Sequence, residues 1–353
     1  MNVWDVREIH DPSQLEVILA EPAARLHAGG LIAFPTETVY GLGANAWDDT
    51  AARRIFRAKG RPADNPLIVH IADLDMLDGV ILHPDKLPDG VERAMAAFWP
   101  GPLTFILPAH PRLAPAVRPG MTTVGVRMPN HPVARTLIRL ANCPVAAPSA
   151  NTSGKPSPTT AGDVLEDLNQ QIDGVVDGGA CPIGVESTVV AITDERAVIY
   201  RPGGITPEQL SAVLRQPVVL DPHLTQPTDA PMAPGMKYRH YAPAAQVHVW
   251  WGDVEAIRSA VSAFIRQHAG QRLAALVPHG WREVVEPLHP LVWEAPATEP
   301  YAAALSRRLY HQLRAFDHEG VHHILVVGVP PEGLGAAVMN RLQKASEGRL
   351  YRV

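Results

Sequence analysis

The sequence predicts an α/β protein built on a mixed sheet, followed by a smaller three-layer α/β unit. Three observations predict it. Helix-period and strand-like segments alternate through the first two hundred residues. STVVAIT and AVIYRP are separated only by Asp194-Glu195-Arg196 and read as an antiparallel hairpin, so the sheet is mixed. After a proline-rich stretch the alternation resumes in a second, shorter set of elements.

Taken in order, a helix runs from Pro12 to His27, closed by Gly29 and Gly30. LIAFPTET follows as a strand, then a helix from about Asp49 to Ala58 and a strand at PLIVHIA. A helix from Val91 to Phe98 precedes the strands LTFILPA and TVGVRMP. HPVARTLIRLA is helical and PVAAPSA strand-like, followed by short strands at GVVD, STVVAIT and AVIYRP and a helix from Pro207 to Leu214. From Gln216 to Ala244, Pro217, Pro222, Pro227, Pro231, Pro234 and Pro243 interrupt any helix, and the stretch reads as an extended linker. Beyond it QVHVWW, RLAALVP and ILVVGVP are strand-like, while Val254–His268, Tyr301–Phe316 and Gly335–Ala345 are helical. The expected domains are therefore residues 1–215, a linker at 216–245, and a smaller domain at 246–353.

Composition narrows the function. The chain has 353 residues and a net charge of −5, which disfavours a protein that mainly coats nucleic acid. At 46% hydrophobic and 19% charged it is not a largely disordered chain. No apolar run approaches the ~20 residues that span a bilayer. MNVWDVREIHDPSQLE has no secretory pattern, and Cys143 and Cys181 stand in unrelated contexts as two free thiols. The expectation is a soluble cytoplasmic protein.

Among the motifs, His318-Glu319-Gly320-Val321-His322 matches H-E-x-x-H. Zinc chemistry needs both histidines one turn apart on a continuous helix, whereas Gly320 and the β-prone run after His323 mark a helix ending and a strand beginning. The metal site is rejected. Gly41-Leu42-Gly43 lacks the third glycine of a dinucleotide fingerprint, and no Walker or G-x-S-x-G motif occurs.

Other segments carry polar groups where a fold alone does not need them. In FPTETVYGLG, a continuing strand puts Thr36 and Thr38 on one face with Glu37 on the other, a rim a small ligand can approach; a β-turn with surface threonines fits equally. In KGRPADNP, Pro62 and Pro66 hold Arg61 and Asn65 extended, so Lys59 and Arg61 project to one side. That pair suits a polyphosphate, although a basic run more often marks a solvated helix end. His70 closes the next strand, a position more often structural. Thr123 and Arg127 share one strand face, and an arginine within an apolar strand needs a partner or an anion-binding cleft. Ser149, Asn151, Ser153, Ser157 and Thr159 lie in a proline-stiffened, donor-rich loop. Glu186-Ser187-Thr188, Arg201-Pro202-Gly203 and the linker's Met236–Pro243 complete the polar set. No nucleophile–base pair or carboxylate cluster of a hydrolase is evident.

Together these residues resemble the threonylcarbamoyl-AMP synthase family, built on the YrdC domain, in its long two-domain form. PTETVYGLG, KGRP with NPLIVH, WPGPLT, VGVRMP, PSAN with SGKPSPT, ESTVV and YRPGG stand in the family's order, and PGMKYRHYAP marks the long form. The resemblance covers roughly Ile9 to Ala245 and extends more loosely downstream. Many relatives carry Ser where Ala233 precedes Pro-Gly-Met, which puts a hydroxyl contact there in doubt.

The resemblance implies a twisted mixed sheet with a concave, positively charged face, plus a smaller Rossmann-like domain. It implies that L-threonine, bicarbonate or carbon dioxide, and ATP condense to threonylcarbamoyl-adenylate and pyrophosphate, for threonylcarbamoyl modification of tRNA. Thr38, His70, Arg127, Ala147 and Ser187 are then expected around the amino acid. Lys59, Arg61, Asn65, Thr123, Ser149, Ser157, Arg201 and Tyr241 (or Tyr238) are expected around ATP, with Lys59 and Arg61 the catalytic cations. Mg²⁺ is expected with ATP, held mostly by phosphate oxygens and water because the sequence offers no cluster of acids. The linker, with its aromatic tip, reads as a lid over the labile carbamate. Two rivals remain. One is a module binding double-stranded RNA or tRNA without chemistry of its own, marked by strong salt dependence. The other is a carbamoyl-adenylate-forming relative, disfavoured by the lack of zinc-binding cysteine clusters.

Overall fold

The computed structural model describes residues 1–224, 241–288 and 291–353. The chain divides into two compact units: residues 1–153 with 157–224, and residues 154–156 with 241–353. No described helix is long and apolar enough to cross a membrane.

The first unit runs β1 (Asn2–Asp5), α1 (Pro12–His27), β2 (Ile32–Phe34), β3 (Gly41–Asn45), α2 (Asp49–Lys59), β4 (Ile68–His70), α3 (Asp89–Phe98), β5 (Leu103–Pro108), β6 (Thr123–Arg127), α4 (Pro132–Ala141), β7 (Val145–Ala146), α5 (Ala161–Leu168), β8 (Gly174–Asp177), β9 (Thr188–Ile192), β10 (Ala197–Arg201), α6 (Pro207–Leu214) and β11 (Val218–Leu220). The described strands form one sheet in the order β1-β8-β2-β3-β7-β4-β6-β5-β9-β10-β11. It is mixed, as the hairpin required: β9 and β10 pair antiparallel, whereas β4 with β6 and β5 with β9 are parallel. Helix starts are set by side chains that satisfy otherwise orphaned backbone N–H groups. Asp11 and Asp48 cap α1 and α2, and Thr160 and Thr206 form capping boxes with Asp163 and Gln209. Gly60 ends α2 in the left-handed region at φ +59°, which turns the chain sharply into Arg61.

Three expectations are corrected. The strand expected through LIAFPTET stops at Phe34, because Pro35 removes the next ladder donor, and residues 37–39 bend instead. PVAAPSA contributes only Val145–Ala146, since Pro148 breaks it. The proline-rich stretch from Gln216 begins with β11, which extends the sheet beside β10.

The second unit runs β12 (Gln246–Trp251), α7 (Val254–Gln267), β13 (Leu273–Val277), α8 (Arg282–Val285), β14 (Val292–Glu294), α9 (Tyr301–His318), β15 (His323–Val327), α10 (Leu334–Ala345) and β16 (Leu350–Arg352). Its described strands are parallel, in the order β14-β13-β15-β12-β16. The Val, Leu and Ala runs of the inner strands β13 and β15 are buried, as parallel strands covered by helices require. The H-E-x-x-H letters fall where α9 ends at His318 and β15 starts at His323, so the two histidines share no helix. No group of three metal-ligating residues is placed to hold an ion among the described residues.

Candidate functional site

Strand register divides the first sheet into two faces. Val69, Val124, Val126, Phe105, Val190 and Ile199 point into the main apolar core. Ile68 pairs with Gly125 and His70 with Arg127, so Thr123, Gly125, Arg127, Ile68 and His70 share the opposite face. Thr104 pairs with Val189 and Arg201 also pairs with Val189, which puts both on that face. The shared face predicted for Thr123 and Arg127 is present.

At one end of this face the carboxyl ends of β4, β6 and β10 meet the amino ends of β5 and β9. His70, Arg127, Thr104, Ser187 and Arg201 gather there, all buried. Arg127 donates from Nη1 to Thr38 Oγ1 at 2.9 Å and from Nε to the Gly101 carbonyl at 3.3 Å. Its Nη2 lies 2.6 Å from Glu37 Oε2, with both side chains under a tenth exposed. Arg201 donates to the Ser187 carbonyl and hydroxyl at 3.0 Å each, and Ser187 Oγ lies 2.8 Å from Thr104 Oγ1. Burial, then the charges of Arg127 and Arg201, hold the His70 imidazole neutral, with its pKa lowered to about 3. Ala147 donates its N–H to the Ile68 carbonyl.

Thr36 and Thr38 do come together, through a 2.8 Å hydroxyl contact inside a bend rather than along a strand. The expectation that Glu37 points away from them is corrected in the same place. In the bend its carboxylate reaches the arginine that also holds Thr38.

Thr123 lies at the other end of the face, and Lys59, Arg61 and Asn65 lie in the chain that runs from α2 into β4. Four residue steps of β6 separate Thr123 from Arg127, about 13 Å of extended chain. Lys59 is buried and donates to the Ser149 carbonyl at 2.6 Å and to the Asn151 carbonyl. Arg61 donates to the Asn65 carbonyl at 3.3 Å and the Pro66 carbonyl at 3.0 Å. This is not the solvated basic helix end that charge patterning alone suggested: both cations are drawn inward onto loop carbonyls. Ser149 Oγ donates to Asn151 Oδ1 at 2.5 Å, and Ser157 Oγ to Glu186 Oε1 at 2.6 Å. The Asn65 side-chain oxygen is buried with no hydrogen-bond partner.

Arg201, grouped with ATP by resemblance, thus sits among the residues grouped with threonine. Tyr241 belongs to the second unit, where it stacks on Tyr310 with ring centres 5.3 Å apart. Tyr238 and the lid reading of the linker from Met236 to His240 lie outside the described residues. Sequence reasoning missed Thr104 and the role of Glu37. A usable signal was present for Glu37: it is the one charged residue in the otherwise apolar and hydroxylic run from Leu31 to Ala44. A carboxylate there demands a cation.

Fixed cations, hydroxyl donors and a neutral imidazole on one face suit the joining of mutually repelling anions. Residues 24–203 match the family described as Telomere recombination, and residues 205–347 that described as Threonylcarbamoyl-AMP synthase, C-terminal domain. The chain is 43% identical over 362 residues to the threonylcarbamoyl-AMP synthase of Bacillus subtilis (strain 168), covering 100% of this chain and 98% of that one. It is 41% identical over 346 residues to the namesake protein of Schizosaccharomyces pombe, covering 89% and 84% respectively. The crystal structure of Pyrococcus abyssi Sua5 complexed with L-threonine matches with a TM-score of 0.90 and 42% identity, covering 100% of both chains.

Proposed function

The chain belongs to the threonylcarbamoyl-AMP synthase family, and from that premise we propose that residues 1–215 join L-threonine, carbon dioxide from bicarbonate, and ATP. The products are threonylcarbamoyl-AMP and pyrophosphate, and the adenylate supplies a threonylcarbamoyl group for tRNA modification. The observation that carries this reading is one sheet face that gathers His70, Arg127, Ser187 and Arg201 at one end and Thr123 at the other, with Lys59, Arg61 and Asn65 in the chain that leads into β4. A similar protein solved with L-threonine supports the amino-acid end.

The threonine amine adds to carbon dioxide without covalent help from the protein and forms a carbamate. The carbamate oxygen then attacks the α-phosphorus of ATP, and the bond to pyrophosphate breaks. Carboxylate, carbamate and triphosphate repel one another, so the main task is to hold three anions in line. In this reading Arg127 takes the carboxylate, and Lys59 and Arg61 take the phosphates. Arg201, which stands with Ser187 at the amino-acid end, meets the charge that builds on the α-phosphate in this reading. Neutral His70 adds no positive charge that would over-stabilise the bound carboxylate, and can accept or donate one hydrogen bond. The Mg²⁺ that accompanies ATP is read as held chiefly by phosphate oxygens and water.

The test is pyrophosphate release. Protein with ATP, threonine and bicarbonate releases it; leaving out threonine abolishes it; release indifferent to threonine would refute the reading. Lys59→Ala or Arg61→Ala removes a charge-assisted contact worth roughly 1.5–3 kcal/mol, on the order of 10–100-fold in rate if made in the transition state. Unchanged rates in both variants would remove the phosphate assignment.

A further inference from the structure

Residues 154–156 belong to the second unit, although the chain on either side of them belongs to the first. Two groups hold them there. Ala242 donates its N–H to the Gly154 carbonyl at 3.0 Å, and Arg314 on α9 donates from Nη2 to the Pro156 carbonyl at 2.6 Å. Arg314 is buried, and a guanidinium withdrawn from water is costly unless its N–H groups are taken up. Tyr310, Arg314 and Asp317 stand at i, i+4 and i+7, so one face of α9 carries all three. Tyr310 stacks on Tyr241, and Asp317 accepts from the N–H groups of Ala244 and Ala245 at 2.9 and 3.2 Å. That helix face therefore holds residues 241–245 and the Gly154–Pro156 loop together.

The Pro156 carbonyl is an effective place to grip. It shares one planar peptide unit with the Ser157 nitrogen, so its direction fixes how the chain enters Ser157. The Pro156 ring sets its own φ, and Pro158 confines Ser157 to extended backbone. Little freedom is left between that carbonyl and the Ser157 hydroxyl, which donates to Glu186 Oε1 at 2.6 Å. On the other side of the loop, Ser153 donates its N–H to the Lys59 carbonyl at 2.8 Å. The Lys59 ammonium is itself held by the Ser149 and Asn151 carbonyls. The loop thus lies between two groups expected around ATP, Lys59 and Ser157.

We propose that Arg314 is a positioning residue for the nucleotide: by holding the Pro156 carbonyl it sets the direction of the Ser157 hydroxyl and steadies the chain behind Lys59. It acts through the loop and does not touch ATP, and the inference rests on the reading that Lys59 and Ser157 take the nucleotide. A loop ordered in advance loses less conformational freedom when ATP binds. Losing the grip therefore weakens ATP and spares threonine, whose expected partners His70 and Arg127 are fixed by strand register.

Steady-state pyrophosphate release by the full-length protein, with ATP and threonine varied in turn, reads this split. Arg314→Gln raises the KM for ATP roughly tenfold, the lower end for a charge-assisted hydrogen bond, while the KM for threonine stays within about twofold. Arg314→Lys, which still places one N–H on the Pro156 carbonyl, recovers most of that loss. Arg307→Gln, on the same helix but paired with Glu299, leaves both values unchanged. An unchanged KM for ATP in Arg314→Gln overturns the proposal. So does an equal rise for both substrates, or the same rise in Arg307→Gln, since each describes a merely structural arginine. Should Arg314→Gln fail to fold, Gly154→Ala decides the matter. Gly154 has φ +94°, which alanine adopts only under strain, so the loop shifts while α9 is untouched. The KM for ATP alone should rise, and a wild-type value overturns the proposal. Lys59→Ala separates the two levels: if it keeps wild-type ATP kinetics, the nucleotide assignment is wrong and the inference falls with it. If Lys59→Ala disturbs ATP use and Arg314→Gln does not, Arg314 is a bystander.

Discussion

His70 is the buried residue whose protonation the site can least tolerate, since Arg127 and Arg201 both act on it. Its pKa is lowered to about 3, against an ordinary value near 6.5, so between those values the unfolded chain binds more protons than the folded one. Stability is therefore full above about pH 6.5 and declines as pH falls through that window, by about 2 kcal/mol at pH 5 from this residue. Urea midpoints at pH 7 and pH 5 test this. The pH-dependent loss should be smaller in His70→Asn, though not zero, because burial and His323 also lower His248 to about 4. Equal losses in both proteins would contradict the assignment. At this scale much of the site was legible. The period-2 spacing placed Thr123 and Arg127 correctly because both lie within one regular strand. It misplaced Glu37 because Pro35 ends the strand two residues earlier, and face alternation has no meaning in a bend.

At the scale of elements, the turn after β10 shows why the YRPGG sequence needs its first glycine. A Cβ on Gly203 would lie 2.3 Å from the Glu186 carbonyl oxygen and 2.4 Å from the Ser187 carbonyl carbon and Thr188 nitrogen. All three are backbone atoms and cannot step aside. Gly203→Ala should push this turn off the Ser187 backbone, on which Arg201 depends. The expected result is a loss of roughly 1–3 kcal/mol of stability and most of the threonine-dependent pyrophosphate release. Gly162→Ala serves as the contrast: its nearest neighbour would be the Thr160 hydroxyl at 3.6 Å, and in helix α5 it should be neutral or stabilising by about 0.5–1 kcal/mol. Wild-type activity in Gly203→Ala would show that the close approach is dispensable. Helices such as Pro12–His27 and Pro207–Leu214 were legible to the residue, because a proline at the first position marks their starts, whereas the four-residue α8 was not. The edge strands β1 and β11 were not. NVWD and VVL are too short to show alternation, and they pair only through backbone contacts with distant partners.

For the molecule as a whole, the sequence pattern located two α/β units because each buries its own sheet between helices. The main core lies behind the functional face in the first, and a Trp250–Ile257–Leu325 cluster fills the second. The gathering of site residues was less legible. Strands distant in sequence supply His70, Arg127, Ser187 and Arg201, and only sheet order brings them together. Arg201 shows the limit: its motif does not say which end of the face it occupies.

The measurement that bears most directly on this arrangement is a crystal structure of the full-length protein with L-threonine and a non-hydrolysable ATP analogue. The account predicts the threonine carboxylate on Arg127, beside His70 and Ser187. It predicts the triphosphate along the same face towards Lys59 and Arg61, with the α-phosphate near Arg201. Threonine and nucleotide on opposite faces of the sheet, or in separate pockets too far apart to react, would contradict it.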